Sequence, residues 1–198
     1  MKNVAITNGA FSNSILRRVV KSENKGQIIT EKKNLDSFDV VIFSGGSDIN
    51  PTIYNEENVY SYISKFSKAR DEFELSILKE IIGNHRWKII GICRGHQLIN
   101  AFLGGKLVQE ISNIKRHKGV HELKHPTGIV GKFFKSVNSI HHQGVLKEGN
   151  NLKITSRYGG VIESTENSQI ISVQWHPEVM EDDSGAQDFF NYLLNKWE

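Results

Sequence analysis

The chain has 198 residues, 38% hydrophobic and 24% charged, enough for a full hydrophobic core and ordinary for a soluble protein. Its 25 basic and 22 acidic residues leave a net charge of +3, too small a surplus to imply a nucleic-acid partner. The single cysteine excludes an internal disulfide and suits a reducing compartment. With no stretch long enough for a secretory signal or a membrane span, the expectation is a cytoplasmic protein without a membrane partner.

Val4-Ala5-Ile6 reads as a first strand buried on both faces, and Ile28-Ile29 as a weaker one. Val40-Val41-Ile42-Phe43 is a strong strand that runs into Ser44-Gly45-Gly46, the composition of a loop whose backbone approaches something closely. From 70 to 82 the period changes. Phe73, Ile77 and Ile81 are spaced by four, and Gly83-Asn84 supplies a stop, so a helix is predicted. Trp87 to Ile92 is another buried strand and leads directly into Cys93. Leu98 to Leu103 reads as a helix ended by Gly104-Gly105.

The middle of the chain is more mixed. The basic run Lys115-Arg116-His117-Lys118 reads as a solvated loop. Strand-like pieces are Val120 to Leu123, Ile129-Val130 and Leu152 to Thr155. Ile170 to Trp175 is a late strand ending at His176-Pro177-Glu178, and Asp188 to Trp197 is a closing amphipathic helix. Strands and helices alternate at both ends of the chain, which predicts an α/β sandwich around a mostly parallel sheet. No repeat, linker or low-complexity segment is visible, so one domain over 1–198 is expected.

The chemistry concentrates at Gly91-Ile92-Cys93-Arg94-Gly95. A strand, then Gly-x-Cys-x-Gly, then a helix is the pattern of a nucleophile elbow, in which a sharp turn lifts the nucleophile out of the sheet and the glycines relieve the crowding. The partial positive charge at a helix start favours a thiolate, and the N–H of Arg94 points toward a carbonyl under attack. A thiol nucleophile needs a base. His176 closes a predicted central strand, where active sites of parallel sheets lie, and Glu178 is placed to orient its imidazole.

Gly91 to Gln97 together with Trp175-His176-Pro177-Glu178 resembles the class I glutamine amidotransferase superfamily. Ser44-Gly45-Gly46-Ser47-Asp48-Ile49-Asn50-Pro51, Arg70-Asp71-Glu72-Phe73-Glu74, Arg94 and Val137 to Gln143 are similar to one branch, the γ-glutamyl-γ-aminobutyrate hydrolases. The resemblance implies a flavodoxin-like sandwich and a triad of Cys93, His176 and Glu178 acting through a glutamyl thioester. It implies an oxyanion hole of Gly46 and Arg94, and glutamyl contacts from Gln97, Ser139, His141, His142 and Gln143. No cofactor is implied. The alternative to a binding role is a polar loop for His141 and His142, and a surface ion pair for Arg70 and Glu74.

Residues 8–38 depart from that branch, which carries a longer stretch there with a tyrosine-bearing helix and a second strand after a Gly-Gly-Leu-Pro-like turn. That region shapes the entrance beside the nucleophile, so the amine leaving group is open. The first expectation is a stand-alone hydrolase of a γ-glutamyl amide, a small-molecule substrate. The alternative is a glutaminase subunit that delivers ammonia to a partner synthetase. A homo-oligomer is compatible with either. His117, His121 and His125 have the spacing of metal ligands, but Gly119 and Pro126 interrupt the helix that would align them, so no metal site is expected.

Overall fold

A computed structural model describes residues 1–32, 34–60, 65–111 and 119–197. In chain order the elements are β1 (Asn3–Thr7), α1 (Ser12–Lys21), β2 (Lys25–Ile29), β3 (Val40–Phe43), α2 (Lys68–Ile81), β4 (Lys88–Ile92) and α3 (Arg94–Phe102). There follow β5 (Lys106–Val108), β6 (Gly119–Glu122), β7 (Ser136–Ser139), β8 (Gly144–Lys147), β9 (Lys153–Tyr158), β10 (Val161–Glu166), β11 (Ile170–Val173) and α4 (Ala186–Asn195). None of the described helices is long and apolar enough to cross a membrane.

The main sheet runs β2-β1-β3-β4-β11-β10-β8-β5, with β9 paired to β10, while β6 and β7 form a separate ribbon. The pairings among β2, β1, β3, β4 and β11 are all parallel, and those of β10, β9, β8 and β5 are antiparallel. The parallel half is covered on both faces, so its side chains alternate between two cores. Val4, Ile6, Val40, Ile42, Ile90, Ile92, Ile171 and Val173 pack with α1 and α4. Ala5, Val41, Phe43, Ile89 and Ile170 pack with α2 and α3. This double burial is why these strands read as continuous apolar runs.

The α/β architecture agrees with the expectation, and three local differences have physical causes. The first is α1, a helix the sequence does not announce although Ile15 and Val19 lie one turn apart and are fully buried. It is short, and a charged residue, Arg18, stands on the same buried face as Ile15 and Val19. The second is β10, whose Glu163, Ser164 and Thr165 are fully buried, so it lacks the apolar signature of a central strand. The third is Ile129-Val130, expected as a strand. Val130 instead opens a single 3-10 turn, Val130–Lys132, held by the Ile129 N–H donating to Glu166 Oε2 at 3.0 Å. A two-residue apolar run cannot distinguish a strand from a buried turn. The basic run 115–118 lies outside the described residues.

Three adjacent parallel strands, β3, β4 and β11, deliver the Gly45-Gly46 loop, Cys93 and His176 to one edge of the sheet. Their register is tight, with Phe43 opposite Gly91 and Val173 opposite Ile92. Cys93 N–H extends the pairing by donating to Val173 O at 2.8 Å. Gly95 is what lets α3 approach this closely, because a Cβ there would overlap the carbonyl oxygen of Phe43. Gly95→Ala is expected to destabilise the fold by about 1–3 kcal/mol, the range for overpacking, as read from the urea unfolding midpoint. An unchanged midpoint would mean that β3 and α3 have slack the packing does not show.

Candidate active site

Cys93 is the residue between β4 and α3, with φ 51° and ψ −103°. A non-glycine residue at positive φ is strained, by on the order of 1–3 kcal/mol, and persists only when its surroundings over-determine it. Here the register of β4 on one side and the first turn of α3 on the other, with Gln97 N–H donating to Cys93 O at 3.1 Å, do so. The turn sets the sulfur at the helix start. Arg94 and the next residues open the helix, so their N–H groups lack helical acceptors.

His176 lies close enough to this sulfur to be influenced by it. Its Nδ1 lies 2.7 Å from Glu178 Oε1, and both side chains are buried. Asn138 fixes the His176 backbone with two bonds: its Nδ2 donates to His176 O and its Oδ1 accepts from His176 N–H, each at 2.9 Å. Gly45 leaves room for the ring, since a Cβ there would stand 2.6 Å from His176 Cε1. On its remaining side the imidazole meets the ring of Phe11 edge-on, with centroids 5.1 Å apart. Burial by itself would lower the His176 pKa. The hydrogen bonds to Cys93 and Glu178, reinforced by their charges, outweigh it and raise the value from 6.5 to about 10.

Beneath the glycine loop lies a buried ion network. The Arg94 side chain is 1% exposed and donates to both Asp71 and Glu74. Arg70 Nε donates to Glu74 Oε1 at 3.1 Å, and its Nη2 donates to Ser44 O and Oγ, also at 3.1 Å. Gly46 lies over this guanidinium with φ 142°, and a Cβ there would overlap Arg70 Nη1. Asp71 Oδ2 accepts from Asn50 N–H at 3.1 Å. Two guanidinium groups and two carboxylates therefore tie α2 to both ends of the loop and to the elbow. The alternative of a surface ion pair for Arg70 and Glu74 does not hold: Glu74 is fully buried, because Arg94 comes in from another element to share it. Burial pushes the Asp71 carboxyl up, against the pull of Arg94.

The residues expected to hold a glutamyl group fall into two sets. Gln97 stands one turn along α3 from Cys93, and its Nε2 donates to Gln143 O and Gln174 Oε1, each at 3.2 Å. Gln143 is buried, and its side-chain amide has no hydrogen-bond partner among the described residues. His141 Nδ1 lies 2.8 Å from Gln143 O, and Ser139 is buried at the end of β7. His142 is different, for both of its ring nitrogens are occupied. Nε2 lies 3.0 Å from Asp48 Oδ1 and Nδ1 lies 3.2 Å from Glu110 Oε2. The bond to Asp48 raises its pKa against burial, with Glu110 adding to the effect. His142 thus straps the glycine loop to the segment at 110.

The sequence carries no signal for Glu110 or Phe11. Asn138 lies inside the motif Val137 to Gln143, but its grip on His176 needs the fold. Of the three spaced histidines, His117 lies outside the described residues. His121 stacks on Tyr158 at 3.9 Å beside Glu163, and His125 is exposed. Among the described residues no three metal-ligating side chains assemble.

The ion network generates a stability prediction. Arg94→Met removes the shared cation and leaves Asp71 buried and unpaired, so a loss of about 3–5 kcal/mol is expected in urea denaturation. A loss below about 1 kcal/mol would be the behaviour of an exposed pair and would mean that the network does not hold α2 to the elbow.

Comparison with known proteins gives the family and the fold. A family model for peptidase C26 matches residues 18–178. The candidate glutamine amidotransferase-like protein YvdE of Lactococcus lactis is 32% identical over 164 residues, covering 74% of this chain and 69% of that one. The glutamine-hydrolysing GMP synthase of Dictyostelium discoideum is 30% identical over 168 residues, 78% of this chain but 20% of that much longer protein. Among solved structures, a Thermoplasma acidophilum protein described as a candidate GMP synthase subunit has the same fold, with a TM-score of 0.71 at 20% identity over 98% of this chain and 92% of that one. The chain belongs to the peptidase C26 family, a hydrolase-type branch of the class I glutamine amidotransferase-like proteins.

Proposed function

We propose that this protein hydrolyses a γ-glutamyl amide through Cys93, His176 and Glu178. The observation that carries the reading is the pairing of a strained, helix-capping Cys93 with a buried His176 whose far nitrogen is held by Glu178. With the proton on His176, the sulfur attacks the γ-carbonyl as a thiolate. The N–H groups of Gly46 and Arg94 take the developing oxyanion. When the tetrahedral intermediate collapses, the C–N bond breaks and the His176 imidazolium gives its proton to the departing amine. The neutral imidazole then takes a proton from water, whose oxygen attacks the glutamyl thioester. Glutamate leaves, and Cys93 and the imidazolium are restored.

Gln97 and Gln143 are the groups proposed to receive the α-ammonium and α-carboxylate of the glutamyl half. A buried amide with both ends unpartnered offers a donor and an acceptor at once. The relationship to GMP synthase supports a second reading, in which the same chemistry acts on glutamine and the ammonia passes to a synthetase partner. Glutamate release decides between them. The purified chain is expected to release glutamate from γ-glutamyl amides without a partner, and Cys93→Ala to release none above background. Glutamine turnover only on adding a synthetase would favour the second reading, and no glutamate from any amide would end the proposal.

The ion pair carries its own pH signature. Because the folded value of His176 lies above its ordinary 6.5, protonation stabilises the fold fully below pH 6.5, and that contribution is lost as pH rises through about 10. Nitrogen NMR of His176 is expected to show an imidazolium at pH 8 with a midpoint near 10. Glu178→Gln should lower that midpoint by roughly one unit or more. A wild-type midpoint near 6.5 would mean that Cys93 and Glu178 do not hold the proton on the ring.

A further inference from the structure

The two faces of the sheet divide the site into two sides. Gln97 stands on α3 and donates to Gln143 O, and these two residues are proposed to bind the glutamyl half. The 3-10 turn Pro177–Val179, which follows His176 directly, packs against α1 on the other face. On that side stands Phe11, at the head of α1. It is 42% exposed, its ring meets the imidazole of His176 edge-on at an interplanar angle of 79°, and its backbone is left-handed with φ 59°.

That conformation is uncommon for any non-glycine residue, most of all a bulky one, and here it is enforced from both sides. Ala10 N–H donates to Gly45 O at 3.1 Å, which ties the preceding residue to the glycine loop. Phe11 O accepts from Ser14 and Ile15 N–H at 2.8 and 3.0 Å, which ties it to the first turn of α1. The strained backbone holds a half-exposed apolar ring against the edge of the His176 imidazole. Val179, 38% exposed, adds a second apolar side chain on the turn after His176.

We propose that Phe11 is the specificity-determining residue for the leaving amine, and that the preferred substrates are γ-glutamyl amides of amines with an aromatic or extended apolar body. The inference rests on the hydrolase reading above. His176 must hand its proton to the departing nitrogen. Its Nδ1 is taken by Glu178, so the nitrogen that gives the proton is Nε2, beside the sulfur. A substituent on an amine at that position leaves the acyl side and passes along the ring that edges the imidazole. Phe11 offers such a substituent an apolar face rather than a charge or a hydrogen-bond donor. Aromatic surfaces of this kind select by contact area and edge or offset stacking.

The test is a matched set of γ-glutamyl amides differing only in the amine, namely methylamine, n-butylamine and phenethylamine, with glutamate release as readout. In the wild-type enzyme kcat/KM for the phenethylamide is expected to exceed that for the methylamide by about tenfold or more, a step of the size apolar contacts give in specificity pockets. In Phe11→Ala the ratio should fall to within about threefold, mainly through KM. Phe11→Leu keeps an apolar side chain and should retain the butylamide preference while losing the phenethylamide advantage. It also carries the measurement if the alanine variant unfolds. A wild-type ratio near one, or a ratio unmoved by both substitutions, overturns the assignment of Phe11 while leaving the hydrolase intact. Release of no glutamate from any amide, glutamine included, overturns both together.

Discussion

Arg94 is shared by two carboxylates in a place where water cannot reach it, and the site is organised around that sharing. A buried cation without partners is strongly unfavourable, as are two buried carboxylates without a cation. The four side chains Arg94, Asp71, Glu74 and Arg70 therefore have to be in place together. Because they come from α2 and from the residue after Cys93, satisfying them brings α2 against the elbow. Because Arg70 also donates to Ser44 O and Asp71 accepts from Asn50 N–H, the network sets the ends of the loop that carries Gly45 and Gly46. It gains little over well-packed apolar groups in stability. What it supplies is a single placement of the glycine loop relative to the elbow.

Placement of the imidazole follows the same logic on the opposite side. Cys93 and His176 sit at the ends of neighbouring parallel strands, so their approach is a consequence of sheet order. Sheet order leaves the ring free to turn, however. Asn138 grips the His176 backbone from the β6–β7 ribbon, Glu178 holds Nδ1, Gly45 clears space for Cε1, and Phe11 closes the remaining edge. Four separate segments thus define one ring orientation, which a proton-transfer group requires. The arrangement favours the proton on His176, which is the state that the proposed mechanism starts from.

The legibility of individual elements divides along physical lines. Strands of the parallel half are legible because burial on both faces demands unbroken apolar runs. Helix α2 is legible because its apolar residues recur at the helical spacing. The strand β10 is not, because after Val161 and Ile162 its buried positions are filled by Glu163, Ser164 and Thr165, whose burial becomes tolerable only through partners elsewhere; Ser164 pairs with Thr155 and Ser156, and Thr165 with Ser172. The apolar pair Ile129-Val130 fails for the opposite reason. It is apolar enough for a strand, but its backbone donor is taken by a side chain, Glu166, in place of a neighbouring strand.

By itself the sequence determined the chemistry available: one thiol between flanking glycines at a strand–helix junction, one histidine and one glutamate closing a later strand, and a glycine loop ahead of them in chain order. Those are local features, set by backbone sterics and by short-range patterning. Only the tertiary structure decided what surrounds them. Glu74 could be half of a surface pair with Arg70 until Arg94 arrives from another element to share it in the interior. His142 reads as a loop residue until Asp48 and Glu110, 94 and 32 residues distant, close on its two nitrogens. Phe11 carries no signal until its ring meets His176. Each of these depends on contacts between segments far apart in the chain, where side-chain burial and charge compensation are settled by packing and leave no periodic trace in the sequence.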